Sequence, residues 1–121
     1  MPYSEEVLDH FEHPRNLGDI EQADARAKIE HPVCGDIMQL SVKVTGGRID
    51  DVRFRTRGCV ASIAAGSCLT EMIKGKSLAE VRAVKREQLA EALGGLPEAS
   101  IHATHLAMDV LKVVLGQLKG T

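Results

Sequence analysis

Met38-Gln39-Leu40-Ser41-Val42-Lys43-Val44, followed closely by Gly46-Gly47, is the stretch that decides the fold. Apolar Met38, Leu40, Val42 and Val44 alternate with polar Gln39, Ser41 and Lys43, and a period of two marks a strand with one buried face and one wet face. Gly46-Gly47 supplies the positive backbone dihedrals that a two-residue hairpin turn needs. The chain then returns over residues 49–56, with Val52 and Phe54 turned inward and Arg53 and Arg55 turned to water. An antiparallel pair is predicted, and a less regular stretch over 27–33 is read as a third strand.

Upstream of the strands, Ser4 caps a short helix whose first turn holds Glu5 and Glu6, favourable at the positive end of a helix dipole. Val7, Leu8 and Phe11 are read as its inward face, and His13-Pro14 ends it. Downstream, the composition after Gly58-Cys59 turns to Ala, Ser, Ile, Leu and Met through Lys74, a helix with Gly75 as its natural C-cap. Another helix follows Ser77, is broken near Val84 and ends at Gly94-Gly95. The last begins near Ser100 and carries Leu106, Val110, Val113, Val114 and Leu118 on one apolar stripe. Strands first and helices afterwards predict an α+β fold, a small three-stranded antiparallel sheet packed against helices in a sandwich. The 121 residues fit one domain, 1–121, with no repeat, low-complexity tract or long linker.

Charge and composition exclude several functions. Lys and Arg total 15 against 17 acidic residues, without a run of like charges, so neither a nucleic-acid footprint nor a polybasic membrane patch is expected. One Tyr, two Phe and no Trp leave none of the stacking surface on which single-strand binders rely. Residues 1–13 are acidic and polar, unlike a signal or transit peptide, and no apolar run reaches membrane-spanning length, so a cytoplasmic protein is expected. In that reducing setting three cysteines at irregular spacing read as ligands or reactive thiols rather than disulfides.

Cys34-Gly35-Asp36, Gly58-Cys59 and His102 read together as one metal or cluster site, because two thiolates, a carboxylate and an imidazole are donors that iron and zinc accept. In an extended segment Cys34 and Asp36 point to the same side, while Gly35 leaves room for an inorganic ligand. Cys59 stands at a strand-to-helix junction, where amide N–H groups and the helix dipole stabilise a thiolate. His102 opens the last helix, and His105, three positions on, lies on nearly the same face, so both can offer nitrogen to one centre. Each residue also has a plainer reading: Cys34 as a loop cysteine, Cys59 as a small buried hydrophobe, either histidine as a surface residue. Cys68 is about half a turn out of phase with Cys59 and is read as core. His13 and His31, each before a proline, are read as structural. Asp109 can orient His105 or merely form a solvated helix pair with it, and Tyr3 can meet a partner near the terminus.

Tyr3-Ser4-Glu5, His13-Pro14-Arg15-Asn16, Cys34-Gly35-Asp36-Ile37-Met38, Gly58-Cys59, Thr70-Glu71 with Lys74-Gly75-Lys76, Leu96-Pro97, His102 and Leu106-Ala107 extend over essentially the whole chain. At these residues the sequence resembles the IscU/NifU N-terminal family of iron–sulfur cluster assembly scaffolds. The resemblance implies a scaffold, not an enzyme, that binds iron, builds a 2Fe-2S cluster and hands it to apo iron–sulfur proteins. Sulfur would arrive as persulfide from a cysteine desulfurase, and electrons from a donor such as ferredoxin. Cys34 and Cys59 would be thiolate ligands and persulfide acceptors, His102 a nitrogen ligand and Asp36 an oxygen donor. A hard carboxylate holds cluster iron less strongly than a soft thiolate, which keeps the product removable, whereas a storage or electron-transfer protein would be expected to offer four Cys.

Two departures stand out. The family usually places a third Cys directly after the histidine, where this chain has Ala103. Asp36 or His105 then completes the shell, or another subunit of a homo-oligomer does, or metal is held without the usual cluster assembly. After Leu96-Pro97 the family often has Pro-Val-Lys, read by a chaperone, but here Glu98-Ala99-Ser100 follows, so a surface built for a basic segment would bind less well. Two other classes compete with the scaffold. One is a zinc-binding sulfur acceptor or sulfurtransferase of the SufU type, with Cys34, Asp36, Cys59 and His102 as a tetrahedral shell. The other is a thiol enzyme with Cys59 as nucleophile and His102 as base, which leaves Cys34 and Asp36 without a role.

Overall fold

A computed structural model of the protein describes residues 3–118. The strands β1 (Ala25–Glu30), β2 (Ile37–Thr45) and β3 (Arg48–Arg57) form one antiparallel sheet in the order β1-β2-β3. Helix α1 (Glu5–Glu12) precedes the sheet, and α2 (Val60–Ile73), α3 (Leu78–Arg82), α4 (Arg86–Ala92) and α5 (His102–Gln117) follow it. Helices α2 and α5 pack on the sheet face that carries Met38, Leu40, Val42, Val52 and Phe54, all fully buried. The predicted α+β sandwich is the fold observed.

Gly46 and Gly47 have φ of 59° and 75°, and Thr45 pairs with Arg48 across them. Ladder partners then shift, because Lys43 faces Asp51 while Val44 faces Ile49. The extra residue makes a bulge, and it lets Ile49 and Val52 both enter the core although strict alternation would put them on opposite faces.

The third strand lies at Ala25–Glu30, not at 27–33. Pro32 has no N–H for a ladder, and residues 31–36 close on themselves instead. His31 N–H donates to Asp36 O (2.7 Å) and Gly35 N–H donates to His31 O (2.9 Å). Both sheet edges are partly covered. Gln117 accepts from Arg26 N–H and donates to Arg26 O at 3.0 and 2.9 Å, while Phe54 N–H donates to Asn16 O and Gly18 N–H to Phe54 O.

Ser4 caps α1 by accepting from Val7 N–H at 3.0 Å. The inward face of this helix is Val7 and His10, however, and Leu8 and Phe11 are exposed. Val113 likewise points away from the core that Leu106, Val110, Val114 and Leu118 enter. Ser77 caps α3 in a reciprocal arrangement with Glu80, and the chain breaks between α3 and α4 as expected. Tyr3 is docked rather than free: it packs against the core with its hydroxyl 3.3 Å from Ser100 Oγ. No helix of the described residues is long and apolar enough to cross a membrane.

Candidate metal centre

Cys59 is the N-cap residue of α2, yet its side chain makes no capping hydrogen bond. Sulfur is a weak acceptor, so the first amides of the helix need an oxygen from elsewhere. Asp36, in the loop before β2, supplies it: Oδ2 accepts from Cys59 N–H at 3.2 Å and from Ser62 Oγ at 2.7 Å. Burial pushes this carboxyl's pKa up, but the hydrogen bonds from Ser62 and Cys59, with the nearby His102, outweigh it and hold the group below its ordinary value. Asp36 is therefore a carboxylate seated at the positive end of α2. Gly58 makes the seat possible, since a Cβ there would stand 2.5 Å from Asp36 Oδ2.

Cys34 reaches the same place from a turn. The extended geometry expected for Cys34 and Asp36 is not found: residues 32–34 form a turn and Gly35 takes a φ of 77°. A left-handed residue between them reverses the local direction, and Asp36 N–H then points at Cys34 Sγ, 3.5 Å away. Cys34 is exposed.

His102 is the first residue of α5, after the 3-10 turn Glu98–Ser100. Its Nε2 lies 3.8 Å from Asp36 Oδ2 and 4.0 Å from Cys59 Sγ. The donor atoms of Cys34, Asp36 and His102 all lie within 4.8 Å of one another, whereas Cys59 falls outside that set and meets it at His102 Nε2, 4.0 Å away. Metal bonds of about 2.0–2.3 Å place the ligands of one ion within about 4 Å of each other. The observed set is thus wider than a closed shell around one ion.

The remaining candidates divide. His105 is exposed and outside the converging set, because three residues of helix carry it about 4.5 Å further along the axis. Ala103 is fully buried, so the position after His102 faces the core. Cys68 is buried too, and burial pushes its thiol up to about 11. No hydrogen bond joins exposed Asp109 to His105 among the described residues.

Two residues escaped the sequence reading. Ser62 carries a recognisable signal, a hydroxyl in the first turn of a helix whose N-cap residue caps poorly. His31, read as structural, stands at the site: its ring centroid is 5.5 Å from that of His102, and its Nδ1 accepts from Val33 N–H and Cys34 N–H at 3.2 and 3.4 Å.

The three-stranded α+β sandwich thus gathers thiol, carboxylate and imidazole at one open rim. The chain belongs to the NifU-like N terminal domain family, which matches residues 2–121. It is 49% identical over 110 residues to iron-sulfur cluster assembly scaffold protein IscU 1 of Archaeoglobus fulgidus, covering 91% of this chain and 72% of that protein. It is 44% identical over 123 aligned positions to the scaffold protein IscU of Escherichia coli K12, covering 98% and 95%. Among solved structures, the SufU protein of thermophilic Fervidobacterium islandicum AW-1 superposes with a TM-score of 0.75 at 26% identity, covering 93% of this chain and 96% of that one. The N-terminal NifU-like protein of Brucella abortus shares the fold at a TM-score of 0.77 and 18% identity, covering 96% and 93%.

Proposed function

We propose that this protein is a scaffold for iron–sulfur cluster assembly, holding iron and sulfur on Cys34, Asp36, Cys59 and His102 and releasing the product to apo-proteins. The observation that carries the proposal is the convergence of Cys34, Asp36 and His102 donors within 4.8 Å at an exposed rim. Relatives with this fold at 44–49% identity bear the name of such scaffolds. The protein organises chemistry rather than turning over a substrate of its own.

In the finer reading the cargo is a 2Fe-2S cluster in the cytoplasm. Exposed Cys34 suits the receipt of sulfur from a desulfurase persulfide: its thiolate attacks the outer sulfur, a new S–S bond forms on Cys34, and the donor thiolate leaves. Reducing that persulfide to sulfide takes two electrons per sulfur, supplied by a donor such as ferredoxin. Asp36 suits release, since its carboxylate is held by Ser62 and Cys59 as well as being available to iron.

One observation favours a zinc-holding sulfur acceptor as the second reading: the donors comprise a full tetrahedral set of types that zinc takes. Anaerobic reconstitution with ferrous iron and a sulfur source separates the two. A brown protein with thiolate-to-iron absorption, lost in Cys34→Ala, Cys59→Ala and His102→Ala, supports the scaffold. A colourless protein retaining one zinc per chain overturns it in favour of the second.

A further inference from the structure

The loop that carries Cys34 has no apolar anchor. Val33 is 88% exposed, Cys34 is exposed, and Pro32 and Gly35 are exposed on either side. What fixes the loop is His31. Its main-chain N–H and C=O bond Asp36 and Gly35, and its side-chain Nδ1 receives the two amides in between, those of Val33 and Cys34. The same ring leans on His102 with a 55° tilt. The Nε2 of His102 also meets Asp36 Oδ2 and Cys59 Sγ at 3.8 and 4.0 Å, both beyond ordinary hydrogen-bond length, so the His31 ring shares in orienting that imidazole.

Two N–H donors converging on Nδ1 place the lone pair there, so a neutral His31 carries its proton on Nε2. A protonated nitrogen cannot bind a metal. His31 therefore meets the site as a support, which agrees with its absence from the converging donor set.

We infer that His31 is a positioning residue of this site: Nδ1 holds the Cys34 loop in its ligating shape while the ring face sets the imidazole of His102. The inference rests on the metal-site reading above. Outer groups that orient metal ligands change affinity by about 10–100-fold when removed, and His31 would orient two ligands at once.

Cobalt(II) titration of the full chain under anaerobic conditions tests it, with affinity and the d–d and thiolate-to-cobalt bands as readouts. His31→Ala is expected to weaken cobalt by about 10–100-fold and to shift the d–d envelope. His31→Asn, which keeps an oxygen acceptor for the loop amides, and His31→Phe, which keeps a ring against His102, are each expected to recover part of the loss. Wild-type affinity and band shape in His31→Ala would overturn the inference. Long-range proton–nitrogen NMR of the metal-free wild type gives a second readout: the Nε2–H form is expected, and a proton fixed on Nδ1 overturns the inference even if His31→Ala fails to fold. Failure of the metal-site reading looks different, because wild-type protein would then ignore cobalt, or Cys34→Ser and Asp36→Asn would bind it normally; either result removes the role of His31 as well.

Discussion

Helix α2 serves two polar clusters, and they are built on opposite principles. Along its flank, buried His10 stands 2.7 Å from Ser67 Oγ, which also accepts from Arg15 N–H at 2.9 Å. Thr70 Oγ1 donates to Ser67 O and accepts from Asn16 Nδ2, and the Arg15 guanidinium spans Asp9 and Glu71. The Ser67 and Thr70 hydroxyls there are bonded at 2.7–3.1 Å, and only Glu71 stands off, 3.6 and 3.7 Å from His10 Nε2 and Arg15 Nε. At the N-terminus of the same helix, Asp36 is bonded, but Cys34 is exposed and the Cys59–His102 and His102–Asp36 separations are about 4 Å. The first cluster spends its hydrogen-bonding capacity on architecture. The second keeps thiol and imidazole in reserve, which is what a site for an exogenous ion requires.

The sharpest contrast is between cysteines. Raising the Cys68 thiol from 9.0 to about 11 lowers its thiolate fraction at neutral pH roughly 100-fold, before access is considered. Iodoacetamide should alkylate Cys34 in the native protein and spare Cys68 until denaturant is added, with peptide mass spectrometry as the measure. Comparable rates at the two positions would erase the distinction between reserve and core.

Two glycines separate the clusters next. Gly58→Ala should push Asp36 off the start of α2, weakening cobalt or iron binding at least about 10-fold and costing about 1 kcal/mol of stability from the lost cap. Gly66→Ala places a Cβ 2.5 Å from the buried Phe54 ring and should cost about 1–3 kcal/mol with metal affinity unchanged. Paired urea melts and metal titrations would expose any crossover between them.

Ser67→Ala is expected to leave Arg15 N–H without its partner and His10 Nδ1 with only the Arg15 guanidinium at 3.3 Å, and to cost about 1–3 kcal/mol, again without effect on metal. A matching loss of metal affinity would mean that the clusters communicate along α2.

The smallest effect is a pH slope. Burial, and then the Arg15 charge, hold the His10 pKa below 6.5. The unfolded chain therefore takes up that proton first as pH falls. The contribution is complete above about 6.5 and drains away as pH drops toward the lowered native value. The urea midpoint should decline through that window in wild type and flatten in His10→Asn.

Much of this arrangement was legible in the chain itself. Alternation over 38–44 and the glycine pair at 46–47 are local features, and local physics decides them. Cysteine is scarce here, three in 121 residues, so Cys34 and Cys59 stood out without coordinates, whereas Asp36 and His102 are among seven Asp and five His and took their weight from position. What escaped depends on partners distant in sequence. The apolar residues of α1 leave two helical faces open, Val7 with His10 or Leu8 with Phe11, and packing on α2, where His10 meets Ser67, selects the first. The bulge at Asp50 answers to β2 rather than to β3. His31 looked like a histidine before a proline because its role lies in the ring contact with His102, a residue from another helix.

The Gln117 side chain covers part of one rim of the sheet, and Asn16 to Gly18 cover part of the other. A strand seeking to extend the sheet meets an amide already occupying Arg26, then the charged Lys28 and Glu30, and on the far side a backbone already bound to Phe54. Lateral growth of the sheet by an added strand is therefore discouraged at both margins.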